Sequence, residues 1–78
     1  MSDEIKKYPE MGGIYQHYKG GKYEVLTMAT HSETGEALVL YKSLLFGSIY
    51  ARPLSMWFDV VIKSDSIQPE ITRFTLIP

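Results

Sequence analysis

Ile14-Tyr15-Gln16-His17-Tyr18-Lys19-Gly20-Gly21-Lys22-Tyr23-Glu24-Val25-Leu26-Thr27-Met28-Ala29-Thr30 is the stretch that decides how this chain folds. Ile14 to Tyr18 reads as a short strand. Tyr23 to Thr30 is rich in the β-branched and aromatic side chains that fit a pleated, half-buried surface. Between them, Lys19-Gly20-Gly21-Lys22 places two glycines where a tight hairpin needs positive φ.

Outward from this hairpin the pattern repeats. His31-Ser32-Glu33-Thr34-Gly35-Glu36 is polar and holds a glycine, which marks a second hairpin loop. Ala37 to Lys42 is a third strand, nearly continuous in apolar character. Ser43 to Ser48, with Gly47, is a connection. Ile49 to Arg52 is a fourth strand stopped by Pro53, which has no amide hydrogen to give to a ladder. Leu54 to Phe58 is compact and apolar, as expected of a helical turn that plugs one end of a barrel. Asp59 to Lys63 resumes strand character, Ser64-Asp65-Ser66 marks a turn, and Arg73 to Ile77 is a closing strand. Residues 1–12 are polar and run into Gly12 and Gly13, so they are expected to form a flexible lead segment ahead of a single β domain over 13–78. The expected fold is all-β. It is either a small SH3-like barrel of five to six strands or a strongly bent antiparallel sheet, with one short helical turn. Closure would remove the exposed edges that are a liability in a chain this short.

Bulk properties bound what such a domain can do. With 78 residues the chain forms one domain, and such a domain buries only roughly 60–65% of the surface its unfolded chain exposes. Its site is therefore expected to be a shallow groove or a loop cluster. Hydrophobic residues make up 45% and charged residues 22%, which argues for a globular chain rather than a disordered one. The net charge of −1 gives no global attraction to nucleic acid or membranes, so any basic patch must be local. The absence of cysteine removes disulfides, thiol nucleophiles and cysteine metal sites, and points to the cytoplasm. The start Met-Ser-Asp-Glu lacks the pattern of a secretory leader, and no apolar run approaches the ~18 residues of a membrane span. No membrane partner is expected.

Three runs carry a family resemblance. They are Gly13 to Val25, then His31-Ser32-Glu33-Thr34 followed by Leu38-Val39-Leu40-Tyr41, then Arg52-Pro53-Leu54-Ser55-Met56, with Arg73-Phe74 as the ending. In this order they resemble the bacterial domain of unknown function 1653, over about residues 13–76. The resemblance implies a compact, SH3-like β fold and no agreed activity. Met28 and the bulky Trp57-Phe58 depart from the family pattern, as differences of packing.

Several residues are candidates for chemistry. In a strand, His17 and Lys19 share a face with Tyr15, while Tyr18 shares the other with Ile14 and Gln16. Tyrosine, histidine and lysine together can stack a base or bind an anion. His31, Glu33 and Thr34 sit at or near a hairpin tip, where binding residues concentrate. A two-residue turn at Thr34-Gly35 would set Glu33 opposite Glu36, and a longer loop would relieve that repulsion. Arg52 lies beside a proline that aims it, which suits phosphate or carboxylate recognition. Its alternative is a structural ion pair with Glu33, Glu24 or Asp59. Trp57, with Phe58, Met56 and Tyr50, reads first as core.

The leading expectation is a non-catalytic binding module for a nucleotide-like or phosphate-bearing ligand or a short RNA, using His17, Tyr18, Lys19, His31, Glu33, Thr34 and Arg52. No cofactor, metal or catalytic residue is assigned. One alternative is an SH3-like protein-interaction module resting on Tyr23, Tyr41 and an exposed Trp57. Another is a minimal hydrolase with His17 or His31 as base. The apolar strand Phe74 to Ile77 is a candidate edge for a homodimer.

Overall fold

The computed structural model describes residues 8–62 and 71–78. The turn expected at Ser64-Asp65-Ser66 and most of the lead segment lie outside the described residues. The strands are β1 (Ile14–His17), β2 (Lys22–Thr30), β3 (Ala37–Ser43), β4 (Ile49–Pro53), β5 (Val60–Ile62), β6 (Ile71–Thr72) and β7 (Phe74–Ile77). A 3-10 turn, Leu54–Met56, follows β4. Five strands form one antiparallel sheet in the order β4-β3-β2-β1-β7, and β5 pairs with β6 in a small second sheet. Among the described residues no helix is long and apolar enough to cross a membrane.

Cross-strand partners share a face, so the register sorts the side chains. Tyr15 pairs with Tyr23, Val25 with Tyr41, Tyr41 with Tyr50, Val39 with Arg52, and His17 with Phe74. All of these therefore project to one face. A bulge between Val25 and Thr27 shifts the phase of β2, leaving Leu26 exposed and turning Met28 toward the core opposite Val39. The core consists of Tyr15, Val25, Val39, Tyr41, Trp57 and Phe74.

Trp57 closes this face from the far side. The 3-10 turn reverses the chain after Pro53, and the Trp57 amide donates to the Leu54 carbonyl at 3.0 Å. The indole is fully buried and stacks on Phe74 with centroids 4.0 Å apart and rings 5° from parallel. It meets Tyr41 and Tyr15 edge-on, at 5.0 and 5.4 Å. Burial of a side chain this size contributes on the order of 4–5 kcal/mol. The expected helical turn is thus present, covering the face of an open sheet rather than the end of a barrel, and Trp57 is core rather than an exposed partner surface.

The sheet is bent strongly enough for side chains from its two outermost strands to meet. Arg52 of β4 lies against the ring of Phe74 in β7. The β4 and β7 backbones are not paired, so the described strands form a bent open sheet rather than a closed barrel. Arg73 marks the point where the chain leaves the small sheet for the large one. Its amide donates to the Asp59 carbonyl at 2.9 Å, and its guanidinium forks onto the Asp59 carboxylate at 3.0 and 3.1 Å. Between β3 and β4, the Ser43 hydroxyl accepts from the Phe46 amide and Gly47 takes a φ of 75°, which leaves Leu45 and Phe46 exposed.

Candidate ligand-binding face

The first hairpin positions His17. The His17 amide donates to the Gly21 carbonyl and the Gly20 amide to the His17 carbonyl, both at 2.7 Å. The His17 Nδ1 accepts from the Lys19 amide at 3.1 Å. An accepting Nδ1 assigns the neutral tautomer with its proton on Nε2. Burial, and then the nearby charges of Arg73, Arg52 and Lys19, lower the imidazole pKa below its ordinary 6.5, with Asp59 opposing. His17 is accordingly uncharged at neutral pH. It is surrounded by cations rather than being one of them.

Next to it stands a row of rings. Tyr23 meets His17, Tyr41, Tyr50 and Phe74 edge-on, at 6.5, 5.4, 6.4 and 5.9 Å between centroids. The bare α-carbon of Gly21 makes room for this ring, because a Cβ there would lie 3.2 Å from the Tyr23 ring. Tyr50 tilts over Tyr41 at 5.6 Å. Arg52 is half-buried. Its Nε is 3.5 Å from the Tyr41 hydroxyl, at the limit of a hydrogen bond, and its Cζ is 5.6 Å from the Phe74 centroid. Among the described residues Arg52 has no carboxylate partner. His17, Tyr23, Tyr41, Tyr50, Arg52 and Phe74 together line an open concavity of ≈280 Å³.

On the other side of His17 the same chemistry recurs. The Tyr18 ring lies 4.7 Å from His17, with the Lys19 ammonium at 5.8 Å and the Arg73 guanidinium at 5.9 Å from its centroid. A second concavity of ≈260 Å³ lies here, lined by His17, Tyr18, Gly20 and Thr75 among others. A larger one, ≈460 Å³, lies by Tyr8, Glu10 and Phe58. Its described lining has the Glu10 carboxylate and no cation, so it does not suit an anion.

Of the expected site residues, the fold brings His17, Tyr18, Lys19 and Arg52 to one region. It does not bring His31, Glu33 and Thr34 there. Those three lie beyond the far end of β2, roughly 25 Å of extended strand from the His17 turn, and none lines the concavity at Arg52, although Arg52 pairs with Val39 near their end of the sheet. The loop is the longer of the two arrangements considered: the His31 amide donates to the Glu36 carbonyl at 2.8 Å, and Thr30 pairs with Ala37. The His31 Nδ1 accepts from the Glu33 and Thr34 amides at 3.1 and 3.3 Å, and the Thr34 hydroxyl accepts from the Glu36 amide at 3.2 Å. These side chains build their own turn. Asp59, one of the ion-pair partners considered for Arg52, is engaged by Arg73 instead. Among the described residues no three His, Asp or Glu side chains are grouped to hold a metal ion.

Sequence reasoning placed Tyr23 and Tyr41 in a peptide groove and Tyr50 in the Trp57 cluster. Only part of their arrangement was readable, in spacing within each strand. Tyr23 and Val25, Val39 and Tyr41, and Tyr50 and Arg52 are each two apart, so each pair shares a face.

The fold and this face define a small all-β domain built on one bent antiparallel sheet with an aromatic, cation-bearing concave side. The chain belongs to the family described as protein of unknown function (DUF1653), which it matches over residues 13–76. It is similar to the crystal structure of a DUF1653 protein from Bordetella bronchiseptica, with 31% identity, a TM-score of 0.70 and 87% of each chain covered. Among curated proteins none matches.

Proposed function

We propose that this domain is a non-catalytic binding module for a phosphate-bearing, nucleotide-like ligand, taken up on the concave face by His17, Tyr23, Tyr50 and Arg52. One observation carries the reading. Arg52 is a half-buried guanidinium with no carboxylate partner among the described residues, set in an open concavity walled by tyrosines. Desolvating a cation without pairing it is costly, and a ligand anion removes that cost. A guanidinium offers a fork of N–H donors to phosphate, and an exposed ring beside it offers a surface for a base. The neutral His17 has no partner for Nε2–H among the described residues and is free to donate there.

The cytoplasm remains the compartment this reading assumes. The protein-interaction alternative loses one of the three residues it rested on, since Trp57 is fully buried. The hydrolase alternative gains nothing, because a backbone amide, not a carboxylate, orients each histidine through Nδ1.

The test is an NMR titration of the ¹⁵N-labelled domain with AMP and, separately, inorganic phosphate. The expected result is saturable shifts at His17, Tyr23, Tyr50 and Arg52, with AMP binding tighter than phosphate and Arg52→Ala weakening both. Shifts confined to other surfaces, or none with either probe, would remove the proposal.

A further inference from the structure

Resting on that reading, we infer that the ligand is a single-stranded oligonucleotide rather than a free mononucleotide, and that Tyr18 and Lys19 form a second base-and-phosphate station on the other side of His17. The rings run Tyr50, Tyr23, His17, Tyr18, with successive centroids 6.4, 6.5 and 4.7 Å apart. The two end rings are the accessible ones: Tyr50 is 44% exposed and Tyr18 is 41% exposed. Each has a cation at hand, Arg52 at one end and Lys19 at the other, with Arg73 beside Tyr18 but neutralised by Asp59.

Both concavities touch His17, and neither is large: ≈280 and ≈260 Å³. The second also takes in Gln16 and Thr75, which face the opposite side of the sheet from His17 and Phe74, so a nucleic-acid strand joining them turns around the end of β1. A mononucleotide in the Arg52 concavity would leave Tyr18 and Lys19 uncovered. A strand of two or three nucleotides has the repeat that this site has, with alternating flat bases and anions. Aromatic platforms with a basic groove are the sequence-tolerant way to hold such a strand, since every base has a π-face. His17 suits the middle of the path because it is uncharged at neutral pH and bonds its own turn through Nδ1.

The experiment is a length series, AMP, pApA, pApApA and an A6 strand in RNA and DNA forms, titrated into the wild type and Tyr18→Ala by fluorescence and NMR. Affinity should rise at least about fivefold from AMP to the dinucleotide or trinucleotide, then level off. The slope of log affinity against log salt should steepen by about 0.7 as the second phosphate engages. Tyr18→Ala should abolish the gain with length while leaving AMP affinity within about twofold. Equal affinity for AMP and every longer strand would overturn the strand reading and leave the mononucleotide site standing. Loss of AMP binding in Tyr18→Ala, with the fold intact by NMR, would overturn the assignment of a separate station. Failure of every probe would remove both readings.

Discussion

The Arg52 guanidinium carbon lies 5.6 Å from the centroid of the Phe74 ring, although the two residues sit on the outermost strands of the five-stranded sheet. The bend of the sheet is therefore what makes the concave face. The β2 bulge at Val25/Thr27 supplies part of that bend. The meeting costs little to lose, because a cation–π contact that is only partly desolvated is worth about 1 kcal/mol. Arg52→Ala should thus lower stability by no more than about 1 kcal/mol in urea unfolding while weakening AMP by about tenfold or more. Arg52→Lys keeps the charge but loses the fork, and should recover only part of that affinity. An Arg52→Ala variant several kcal/mol less stable would show the residue to be structural.

Trp57 sits at the opposite extreme. Trp57→Ala removes the plug from a core of a few side chains, and such truncations cost about 3–5 kcal/mol. A chain of 78 residues holds roughly 4–12 kcal/mol in total, so the variant should be largely unfolded at 37 °C by circular dichroism. Trp57→Phe should be milder. It keeps a ring against Phe74 and removes an indole N–H that is buried without a hydrogen-bond partner among the described residues. In the wild type, iodide should barely quench the Trp57 fluorescence until urea unfolds the chain.

Stability should also depend on pH through His17. Its folded pKa lies below the ordinary 6.5, because burial and then Arg73, Arg52 and Lys19 disfavour the imidazolium. Below 6.5 the unfolded chain takes up a proton that the folded chain resists. The contribution is therefore present above 6.5 and is lost as pH falls through the folded value. Asp59 adds a second loss at lower pH, since the hydrogen bonds from Arg73 hold its carboxyl below the ordinary 3.8. The His17→Gln variant should flatten the urea-midpoint profile just below pH 6.5 and leave the acid limb intact. The His17 Hε1 resonance should titrate with a midpoint under 6.5, and bound phosphate should raise it. A wild-type midpoint above 6.5 would contradict the cationic surroundings described.

The two glycines of the first turn show how far sequence reaches. Both read as hairpin glycines, yet only Gly20 has a positive φ, 110°, with nothing within 4 Å of where a Cβ would be. Gly21 is favoured by the Tyr23 ring, which would have to give by a few tenths of an ångström to admit a Cβ, a contact between side chain and backbone that no turn rule records. Gly20→Ala should therefore destabilise by about 1–2 kcal/mol through backbone strain and leave AMP affinity unchanged once folded. Gly21→Ala should do the reverse, with a small effect on stability and a clear one on affinity, as Tyr23 is pushed aside. Equal effects of the two substitutions on both readouts would dissolve the distinction.

The same contrast runs through the whole domain. The strands other than β6, both hairpins and the compact turn at Trp57 were legible because each is set by neighbours in sequence: alternation, turn residues and a compact apolar run. The site was only half legible. Gathering Tyr23, Tyr41, Tyr50 and Arg52 needs the register of β2, β3 and β4 together, and the bulge shifts the phase within β2. Recognising Asp59 as the partner of Arg73 needs the pairing of β5 with β6, which joins segments distant in the chain. His31, Glu33 and Thr34 drew attention as polar residues at a hairpin tip, and that position does not say what a tip lies beside in the folded sheet.

That last trio yields a prediction that separates a built turn from a binding site. His31 accepts two amide hydrogens through Nδ1, and Thr34 accepts one through its hydroxyl. Losing either acceptor leaves amides at an exposed tip, where water replaces part of the bond. His31→Ala and Thr34→Ala should therefore each cost about 1 kcal/mol. Amide exchange should quicken at Glu33, Thr34 and Glu36 in the affected variants. Because the His31 and Thr34 side chains are engaged by amides of their own turn and neither lines the Arg52 concavity, AMP affinity should stay within about twofold of wild type in both. Should His31→Ala, still folded, weaken AMP as much as Arg52→Ala does, the tip would be a contributor to the ligand site, and the concave face alone would not account for binding.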